Sequence, residues 1–504
     1  MQPWLVGPVA VVAGFAISAT PSRSHAASFT VNSTADAPDA IPGDGVCATS
    51  SGACTLRAAI EEANSSAGAD AVAIPAGHYV LRAGELDITD DLTVTGAGAP
   101  VTQIDGNGRS RVLHIASPAN VTLSQLTIHR GLVTLQHLDS GGGLLIDEGA
   151  TATLTDVAIA QNKASGTDGG GCVNAGTATF TNVTFTRNQA TNFAFGGGCV
   201  NYGSATLTNV TFVRNQIIGA GSNGGGFDNA GTATLTNVTF TANKIAGTSG
   251  SGGGLSLDGG PTTLTNVTFT NNRASGVFAS GGGLANQGTS SITLTNVIFT
   301  GNKATGPKSR GGGLSSHGGP LTLTNVTFAG NQAAGFSSFG GGFANAGTIT
   351  LTNVTLAANE AKGTHSSGGG LMNEGGLVTL ASVTLAANQA AGGGNIDNEP
   401  GGTVTLINSI VAGRTDCQGA VTSLGHNIDS GNGCGFTGAG DLVNTDPLLG
   451  PLANNGGLAE TMALLPGSPA IDAGDTTACP ATDERGMPRL TDGHCDIGAF
   501  EAAP

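Results

Sequence analysis

Apolar residues recur in three columns along the middle of the chain, in nine copies of one unit. The first column lies three residues before a position that is always valine, and the third lies two residues after it. The first column comprises Leu154, Phe180, Leu207, Leu235, Leu264, Leu294, Leu323, Leu351 and Leu380, and the third comprises Ile159, Phe185, Phe212, Phe240, Phe269, Phe299, Phe328, Leu356 and Leu385. Successive copies are 26 to 30 residues apart, a spacing that is typical of solenoids.

Within each copy, apolar residues alternate with threonine, as in the segment TLTNVTF that begins at Thr234. This period of two, with its β-branched residues, predicts short strands that face an interior. An asparagine and a Gly-Gly-Gly segment follow in each copy and favour turns, because both residue types tolerate positive φ. Each coil is therefore expected to hold three strands, the third of which follows the glycines.

Stacked coils place equal residues above one another at roughly 4.8 Å, so that the three columns build one interior. The pattern predicts an all-β fold, a single-stranded right-handed parallel β-helix of the pectate-lyase-like type. About a dozen coils would form a rod roughly 55–60 Å long at that strand spacing.

The asparagines that recur in the repeat are expected to form hydrogen bonds with one another and with backbone amides of the turns. They are Asn162, Asn188, Asn215, Asn243, Asn272, Asn302, Asn331, Asn359 and Asn388.

The chain is expected to have four parts: a signal peptide at 1–26, an N-terminal cap with the first strands at 27–84, the β-helix repeats at 85–410 and a C-terminal cap at 411–504. An apolar run ending in Ser-His-Ala predicts export and cleavage after Ala26. That run is too short for a comfortable membrane span, so no span is expected once it is removed. Residues 56–64 have helical spacing after Thr55, which predicts a short helix that caps the first coil.

The net charge of −16 argues against nucleic acid as a partner. We expect a secreted or cell-surface monomer whose partner is a surface protein or a polysaccharide.

Eight cysteines in an exported chain predict disulfides. Pairs close in sequence are Cys47 with Cys54, Cys417 with Cys434 and Cys479 with Cys495, while Cys172 and Cys199 share one column of consecutive coils. At this last pair a bridge and two buried thiols stay open as alternatives.

Both ends of the chain resemble a known family. The motif CTLRAAI at 54–60 resembles the CSLREAI motif that begins a large family of exported bacterial β-helix proteins, with Ala58 in place of its glutamate. The tail resembles the choice-of-anchor ending of that family through LPGSPAIDAGD at 465, DERG at 483 and CDIGAFE at 495. The repeat is similar to that of chlamydial polymorphic outer-membrane proteins. The resemblance implies a β-helix outside the cell, usually without an assigned reaction, and outer-membrane attachment is not expected.

The densest patch of ionisable residues is expected on the early coils. It comprises His129, Arg130, His137, Asp139, Asp147 and Glu148. A carbohydrate-active site could lie there, because glycosidases need two carboxyl groups on either side of the scissile bond. Ordinary loop and turn residues are the alternative.

Elsewhere the sequence offers little for catalysis. Asp156, Asp168, Asp228 and Asp258 are scattered in the repeat, and none is expected to stack on another. Phenylalanine is expected in the core, which leaves no aromatic platform for sugar rings. Oxygen ligands for one calcium ion, the one candidate cofactor, could come from Asp36, Asp39 and Asp44, although loop carboxylates often only form turns.

The leading hypothesis for function is therefore an exported, non-catalytic β-helix, a structural or adhesion module without catalytic residues. The alternative is a polysaccharide lyase or glycoside hydrolase that acts on acidic polysaccharide through the early patch. Convergence of three ionisable groups in one groove would favour the enzyme.

Overall fold

The computed structural model describes residues 26–135, 140–490 and 493–503. Over these residues the chain winds into a right-handed parallel β-helix of about 12 turns, which confirms the predicted fold class. Each regular turn contributes strands to three parallel sheets, numbered here in the order in which a turn meets them. The predicted signal peptide lies outside the described residues, except for its last residue.

Sheet 1 holds the TLTNVTF segments. Its strands pair in register, so that Leu235 lies beside Leu264 and Phe240 beside Phe269. In the described part of the chain its strands are Ser28–Thr30, Asp70–Ile74, Gly77–Val80, Leu92–Gly96, Thr102–Asp105, Asn120–Ser124, Thr127–His129, Thr151–Thr155, Ala158–Ala160, Thr177–Thr181, Thr184–Thr186, Ser204–Thr208, Thr211–Val213, Thr232–Thr236, Thr239–Thr241, Thr262–Thr265, Thr268–Thr270, Ile292–Thr300, Leu321–Ala329, Thr348–Ala357, Leu377–Ala386, Thr403–Ile407, Ile410–Ala412, Thr422–Ser423, Ile428–Asp429 and Leu442–Val443.

Sheets 2 and 3 complete each turn. The described strands of sheet 2 are Leu132–Thr134, Lys163–Ser165, Gln189–Thr191, Gln216–Ile218, Lys244–Ala246, Arg273–Ser275, Lys303–Thr305, Gln332–Ala334 and Glu360–Lys362. Those of sheet 3, after the glycines, are Leu86–Ile88, Leu113–Ile115, Leu144–Ile146, Cys172–Asn174, Cys199–Asn201, Phe227–Asn229, Leu255–Leu257, Leu284–Asn286, Leu314–Ser316, Phe343–Asn345, Leu371–Asn373, Ile396–Asn398 and Cys417–Gln418. Ser222–Asn223 pairs with Gly250–Ser251, and Leu449–Ala453 runs antiparallel to Thr461–Leu464.

Like side chains stack along the axis of the helix. Six phenylalanine rings of the third column, from Phe185 to Phe328, lie nearly parallel with centroids 4.7 to 4.9 Å apart. All of them are fully buried, and burial of each side chain contributes about 1.5–3 kcal/mol to folding. The core is therefore one continuous apolar column, as the repeat predicts.

The asparagine column forms the predicted ladder. Asn243 Nδ2 donates to Asn272 Oδ1 at 3.0 Å and to the carbonyl of Phe212 at 2.8 Å. Its own Oδ1 accepts the backbone N–H of Asn215 at 3.0 Å. Every turn thus supplies partners for buried amides of its neighbours, and the structural interpretation of these residues is confirmed.

The first turn is closed by helix α1, Leu56–Ser65, as predicted. Thr55 is its N-cap, and its Oγ1 accepts the N–H of Ala58 at 3.1 Å. The apolar face of the helix packs on the end of the core through Leu56 and Ile60. Among the described residues no helix is long and apolar enough to cross a bilayer.

All four disulfides form. The three pairs close in sequence are bridged as predicted, and Cys172 is joined to Cys199 with their α-carbons 4.5 Å apart. The alternative of two buried thiols is therefore wrong for that pair. Near the last turn, Cys434 and Phe436 are buried against the end of the core, so the segment pinned by Cys417 closes it.

The rest of the C-terminal segment also covers the side of the helix. Described residues of the segments 446–490 and 493–503 lie along the outer face of sheet 1. There the carboxyl group of Glu484 accepts hydrogen bonds from the hydroxyls of Thr327 and Thr355, at 2.6 and 2.5 Å. One turn further on, the hydroxyl of Thr384 accepts the N–H of Ala499 at 3.0 Å. Outward threonines that a bare solenoid would expose to water are buried here.

Candidate functional site

The middle residue of each sheet-3 strand points away from the core, because side chains alternate along a strand. In the seven strands from Phe227–Asn229 to Ile396–Asn398, however, these residues are buried. The turns on both sides rise above them and form the walls of a channel along the helix axis. We call this channel the sheet-3 groove. Its floor consists of Asp228, Ser256, Ala285, Ser315, Ala344, Met372 and Asp397.

One wall is built by the turns before sheet 3, whose residues pair as successive parallel bridges. This wall includes Asn223, Ser251, Ser280, Arg310, Phe339, Ser367 and Gly392. The opposite wall is built by the residue that directly follows each strand. Its polar members are Tyr202, Asp258, Gln287, His317, Glu374 and Glu399.

Three side-chain contacts join the two sides of the groove. Tyr202 Oη donates to Asp168 Oδ2 at 2.6 Å, and Asn223 Nδ2 donates to Asp258 Oδ2 at 2.9 Å. Further along, Arg310 Nε lies 2.7 Å from Glu374 Oε1. The walls are therefore held at a fixed separation.

Asp228 and Asp258 do not stack in one column, in line with the expectation, but their carboxyl groups interact. Burial raises the pKa of Asp228 well above its usual value, and the charge of Asp258 and a hydrogen bond with it add to the rise. The two residues are 30 positions apart, one turn plus two residues, so they occupy different columns of the repeat. Asp258 lies in the turn that follows its strand, and from there its side chain comes close enough to Asp228 to affect the pKa of that carboxyl group.

The wider part of the groove is a cleft of about 850 Å³ near its C-terminal end, which we call the upper cleft. It is lined by His365, Ser367, Asp397, Glu399 and Gln418, among others. Burial raises the pKa of Asp397. Burial and then the charges of Glu374 and Asp397 raise the pKa of Glu399. Two carboxyl groups with a raised affinity for protons therefore face one cleft.

A second cleft of about 350 Å³, the lower cleft, lies in earlier turns. Its lining includes Phe278, Gln287, Lys308, Arg310 and His317. Burial is the main cause that lowers the pKa of His317, against the opposing charge of Glu374. Glu374 thus acts electrostatically on His317 in the lower cleft and on Glu399 in the upper cleft, while its partner Arg310 lines the lower cleft.

The rim of the groove carries exposed aromatic rings, contrary to the expectation that phenylalanine is confined to the core. Phe278 is 47% exposed and Phe336 is 63% exposed. Lys308 Nζ lies 5.5 Å from the centroid of Phe278, and the rings of Phe336 and His365 are 4.6 Å apart. These phenylalanines lie in the turns between sheets 2 and 3, outside the apolar columns.

A third concavity, of about 1020 Å³, lies between the last turns and the C-terminal segment. Its lining is mostly alanine, glycine and other uncharged residues, with Arg414 and Asp446 as the ionisable ones. It brings no pair of carboxyl groups together, so it is the weaker candidate.

The predicted early patch is divided between two faces of the helix. His129 and Arg130 lie at the end of a sheet-1 strand beside Asp105, with Arg130 Nη1 2.9 Å from Asp105 Oδ2. Asp147 and Glu148 lie in the turn after a sheet-3 strand. His137 and Asp139 lie outside the described residues.

The structure adds partners that the sequence pattern did not single out. His114 lies between two carboxylates of neighbouring turns, 3.0 Å from Asp87 Oδ1 and 3.1 Å from Asp147 Oδ2. The hydrogen bond to Asp87 is the main cause that raises the pKa of His114, against burial. A signal for such residues was present, because Asp87 and His114 are the middle, outward-facing residues of two successive sheet-3 strands and Asp147 directly follows the next strand.

The three aspartates of the predicted calcium site accept hydrogen bonds from different groups. Asp36 Oδ1 pairs with Arg57 Nε at 2.7 Å. Asp39 accepts the N–H groups of Ile41 and Ala48, whereas Asp44 accepts that of Val46. Calcium binding at these residues stays a prediction.

Comparison with known proteins gives a family and a fold. The sequence matches the family model for the right-handed beta helix region over residues 103–285 and 227–434, and no curated protein matches it. Among solved structures, it resembles the periplasmic alginate epimerase AlgG with 9% identity and a TM-score of 0.36, over 71% of this chain and 77% of that one. It resembles pectate lyase Pel9A with 16% identity and a TM-score of 0.30, over 95% of this chain and 97% of that one. It resembles the catalytic domain of a GH87 alpha-1,3-glucanase in complex with nigerose with 11% identity and a TM-score of 0.30, over 81% of this chain and 70% of that one. The chain belongs to the right-handed β-helix family.

Proposed function

We propose that this protein is an exported β-helix that binds an extended, neutral polysaccharide along the sheet-3 groove. The observation that carries the proposal is the presence of two polar clefts in one groove, each beside an exposed phenylalanine ring. An open groove along a rod suits a long chain molecule, whereas small ligands are usually held in enclosed pockets.

The lining supplies both kinds of contact that a sugar chain needs. Amide, hydroxyl and carboxyl groups of residues such as Gln287, Ser367 and Gln418 can exchange hydrogen bonds with sugar hydroxyls. The apolar faces of sugar rings can pack on Phe278 and Phe336. These two rings belong to turns two coils apart, which is roughly 10 Å at the usual strand spacing.

The charged side chains of the sheet-3 groove indicate which class of polysaccharide it would bind. Along the whole groove, the carboxyl groups of Asp258, Glu374, Asp397 and Glu399 outnumber two bases, Arg310 and Lys308, which line the lower cleft. A polyanion would be repelled by such a surface. The proposal therefore favours a neutral chain over the acidic polysaccharide that the enzyme hypothesis named.

Export fits the chemistry of the chain. Four disulfides join all eight cysteines, and such bonds persist in oxidising compartments outside the cytosol. A rod with a binding groove along one side would serve adhesion to, or assembly of, an extracellular matrix.

The test is affinity electrophoresis of the purified full chain against neutral polysaccharides, namely glucans, xylans and mannans, and against alginate and polygalacturonate. We expect retardation by at least one neutral polymer and none by the polyanions. Phe278→Ala should weaken binding about tenfold, because this ring lines the lower cleft and its contact with the sugar ring is lost. Phe193→Ala is the matched control, because this ring is 72% exposed but lies outside both clefts. Equal loss in both variants, or binding of polyanions alone, would refute the proposal.

A second candidate function is hydrolysis of the bound chain, favoured by the two carboxyl groups of the upper cleft. A carboxyl group that stays protonated can donate a proton to a glycosidic oxygen, while a second carboxylate activates water or attacks the sugar. Release of reducing ends that is abolished in Asp397→Asn and Glu399→Gln, with binding retained, would establish this reaction. Binding without turnover would leave the adhesion function.

A further inference from the structure

A group of metal-binding residue types lies on sheet 1, away from the groove. His78, Asp105 and His129 belong to three successive turns, in the strands Gly77–Val80, Thr102–Asp105 and Thr127–His129. The register pairs Val80 with Asp105 and Asp105 with His129. His78 lies two residues before Val80, on the same outward face. Parallel stacking therefore brings two imidazoles and a carboxylate together.

We propose that His78, Asp105 and His129 bind one divalent transition-metal cation of the Zn²⁺ type. His78 Nε2 lies 2.8 Å from Asp105 Oδ2, and His129 Nε2 lies 4.0 Å from the same oxygen. All three ligand atoms lie within 4.8 Å of one another.

These separations are close to those of a bound site. Zinc holds imidazole nitrogen and carboxylate oxygen at roughly 2.0–2.2 Å with tetrahedral angles, so two ligand atoms stand roughly 3.3–3.5 Å apart. One of the two contacts with Asp105 lies below this range and the other lies above it. Since all three ligand atoms lie within 4.8 Å of one another, side-chain movements of about 1 Å would place them around one ion.

The lack of a hydrogen-bond partner at His129 supports its role as a metal ligand. Its Nε2 is shielded from water and has no hydrogen-bond partner, although buried polar atoms normally find one. A bound cation would supply the missing partner of this nitrogen.

The carboxylate also needs a counter-charge, because Asp105 is fully buried. His78 and Arg130 supply it here, and Arg130 Nη1 lies 2.9 Å from Asp105 Oδ2. The side chains of both are 49% exposed, so Arg130 can turn out into water when a cation takes its place. Arg130 and the metal thus compete for one oxygen.

The ligand set selects the class of ion. Two nitrogens and one oxygen suit Zn²⁺ and its first-row neighbours. Calcium and magnesium require sets of oxygen ligands instead. Three protein ligands would leave a fourth position for water or for a group of a partner molecule.

The experiment is titration of the tag-free, full chain with Zn²⁺ by isothermal calorimetry, with Co²⁺ absorption as a second readout. We expect one site, at least tenfold weaker in His78→Ala and in His129→Ala, and loss of the visible Co²⁺ bands in both. Arg130→Gln should bind several-fold more tightly, because the competing cation is removed; a merely structural role of the histidines predicts no such gain. Thermal unfolding of each variant verifies that it folds.

His114→Ala is the matched control. This histidine also lies beside carboxylates, Asp87 and Glu85, in a group of ligand atoms of similar size on sheet 3. Its replacement should leave the affinity unchanged. The proposal fails if Zn²⁺ does not bind, if His114→Ala alone removes the site, or if Arg130→Gln weakens binding.

Discussion

Arg310 Nε donates to both carboxylate oxygens of Glu374, at 2.7 and 2.9 Å, and this ion pair joins the two walls of the sheet-3 groove. The residues are 64 positions apart and lie two turns apart along the axis. Both charges of the pair contribute to the electrostatic environment of His317 in the lower cleft and of Glu399 in the upper cleft.

Replacement of Arg310 by alanine should raise the pKa of His317 and of Glu399. The positive charge of Arg310 lowers both pKa values, and its removal leaves the charge of Glu374 uncompensated. Titration by NMR of protein with labelled histidine and glutamate would show the shifts. Lys308→Ala is the control, since it removes a base from the lower cleft but leaves the ion pair intact. Unchanged pKa values of His317 and Glu399 in Arg310→Ala would contradict the proposed influence of the Arg310–Glu374 ion pair on both residues.

The buried asparagine ladder should be sensitive to single substitutions. Asn243→Ala leaves the N–H of Asn215 and the carbonyl of Phe212 without their side-chain partners, which should cost about 2–4 kcal/mol. A clear fall in the midpoint of thermal unfolding is expected. Asn237 belongs to a second, exposed ladder with φ of 55°, so Asn237→Gly should change the midpoint little. Similar falls in both variants would argue against the buried ladder as a stabilising element.

The bridge between Cys172 and Cys199 should stabilise the middle of the rod. It closes a loop with a sequence separation of 27, for which chain entropy predicts roughly 3–4 kcal/mol. The double variant with serine at both positions should keep its circular dichroism spectrum but unfold at lower temperature. Mass spectrometry after alkylation tests the bond itself, since the native chain should add no label. Labelling of both thiols would refute the bridge.

Docking of the C-terminal segment should weaken as pH rises. Burial raises the pKa of Glu484 to about 8, whereas the unfolded chain has a glutamate pKa of roughly 4.3. The folded state therefore holds an extra proton between those values. Its contribution to stability is full below the lower value and is lost as pH rises towards 8.

The measurement is the unfolding midpoint of the wild type and of Glu484→Gln between pH 5 and pH 9. The wild type should lose more stability across this range, because glutamine stays neutral. Glu460→Gln is the control, because Glu460 is exposed and only its backbone carbonyl contacts Thr327, at 3.0 Å. Parallel pH profiles for wild type and Glu484→Gln would contradict the prediction.

The repeat by itself determined the solenoid, its three sheets, the phenylalanine stack and the asparagine ladder. Hydrogen-bond register forces equal positions of successive turns together at one strand spacing, so columns in the sequence become columns in space. The capping helix followed from Thr55 and helical spacing, and Cys172 could meet Cys199 because they share a column.

Tertiary structure alone decided the groove and its chemistry. Asp228 meets Asp258, and Arg310 meets Glu374, through turns that vary in length and have no register to fix which side chains converge. The same freedom puts Phe336 at the rim although its residue type predicts the core. The docking of Glu484 between Thr327 and Thr355 joins residues 157 and 129 positions apart. No local pattern encodes such contacts, because they depend on how a non-repeating segment folds onto a finished surface.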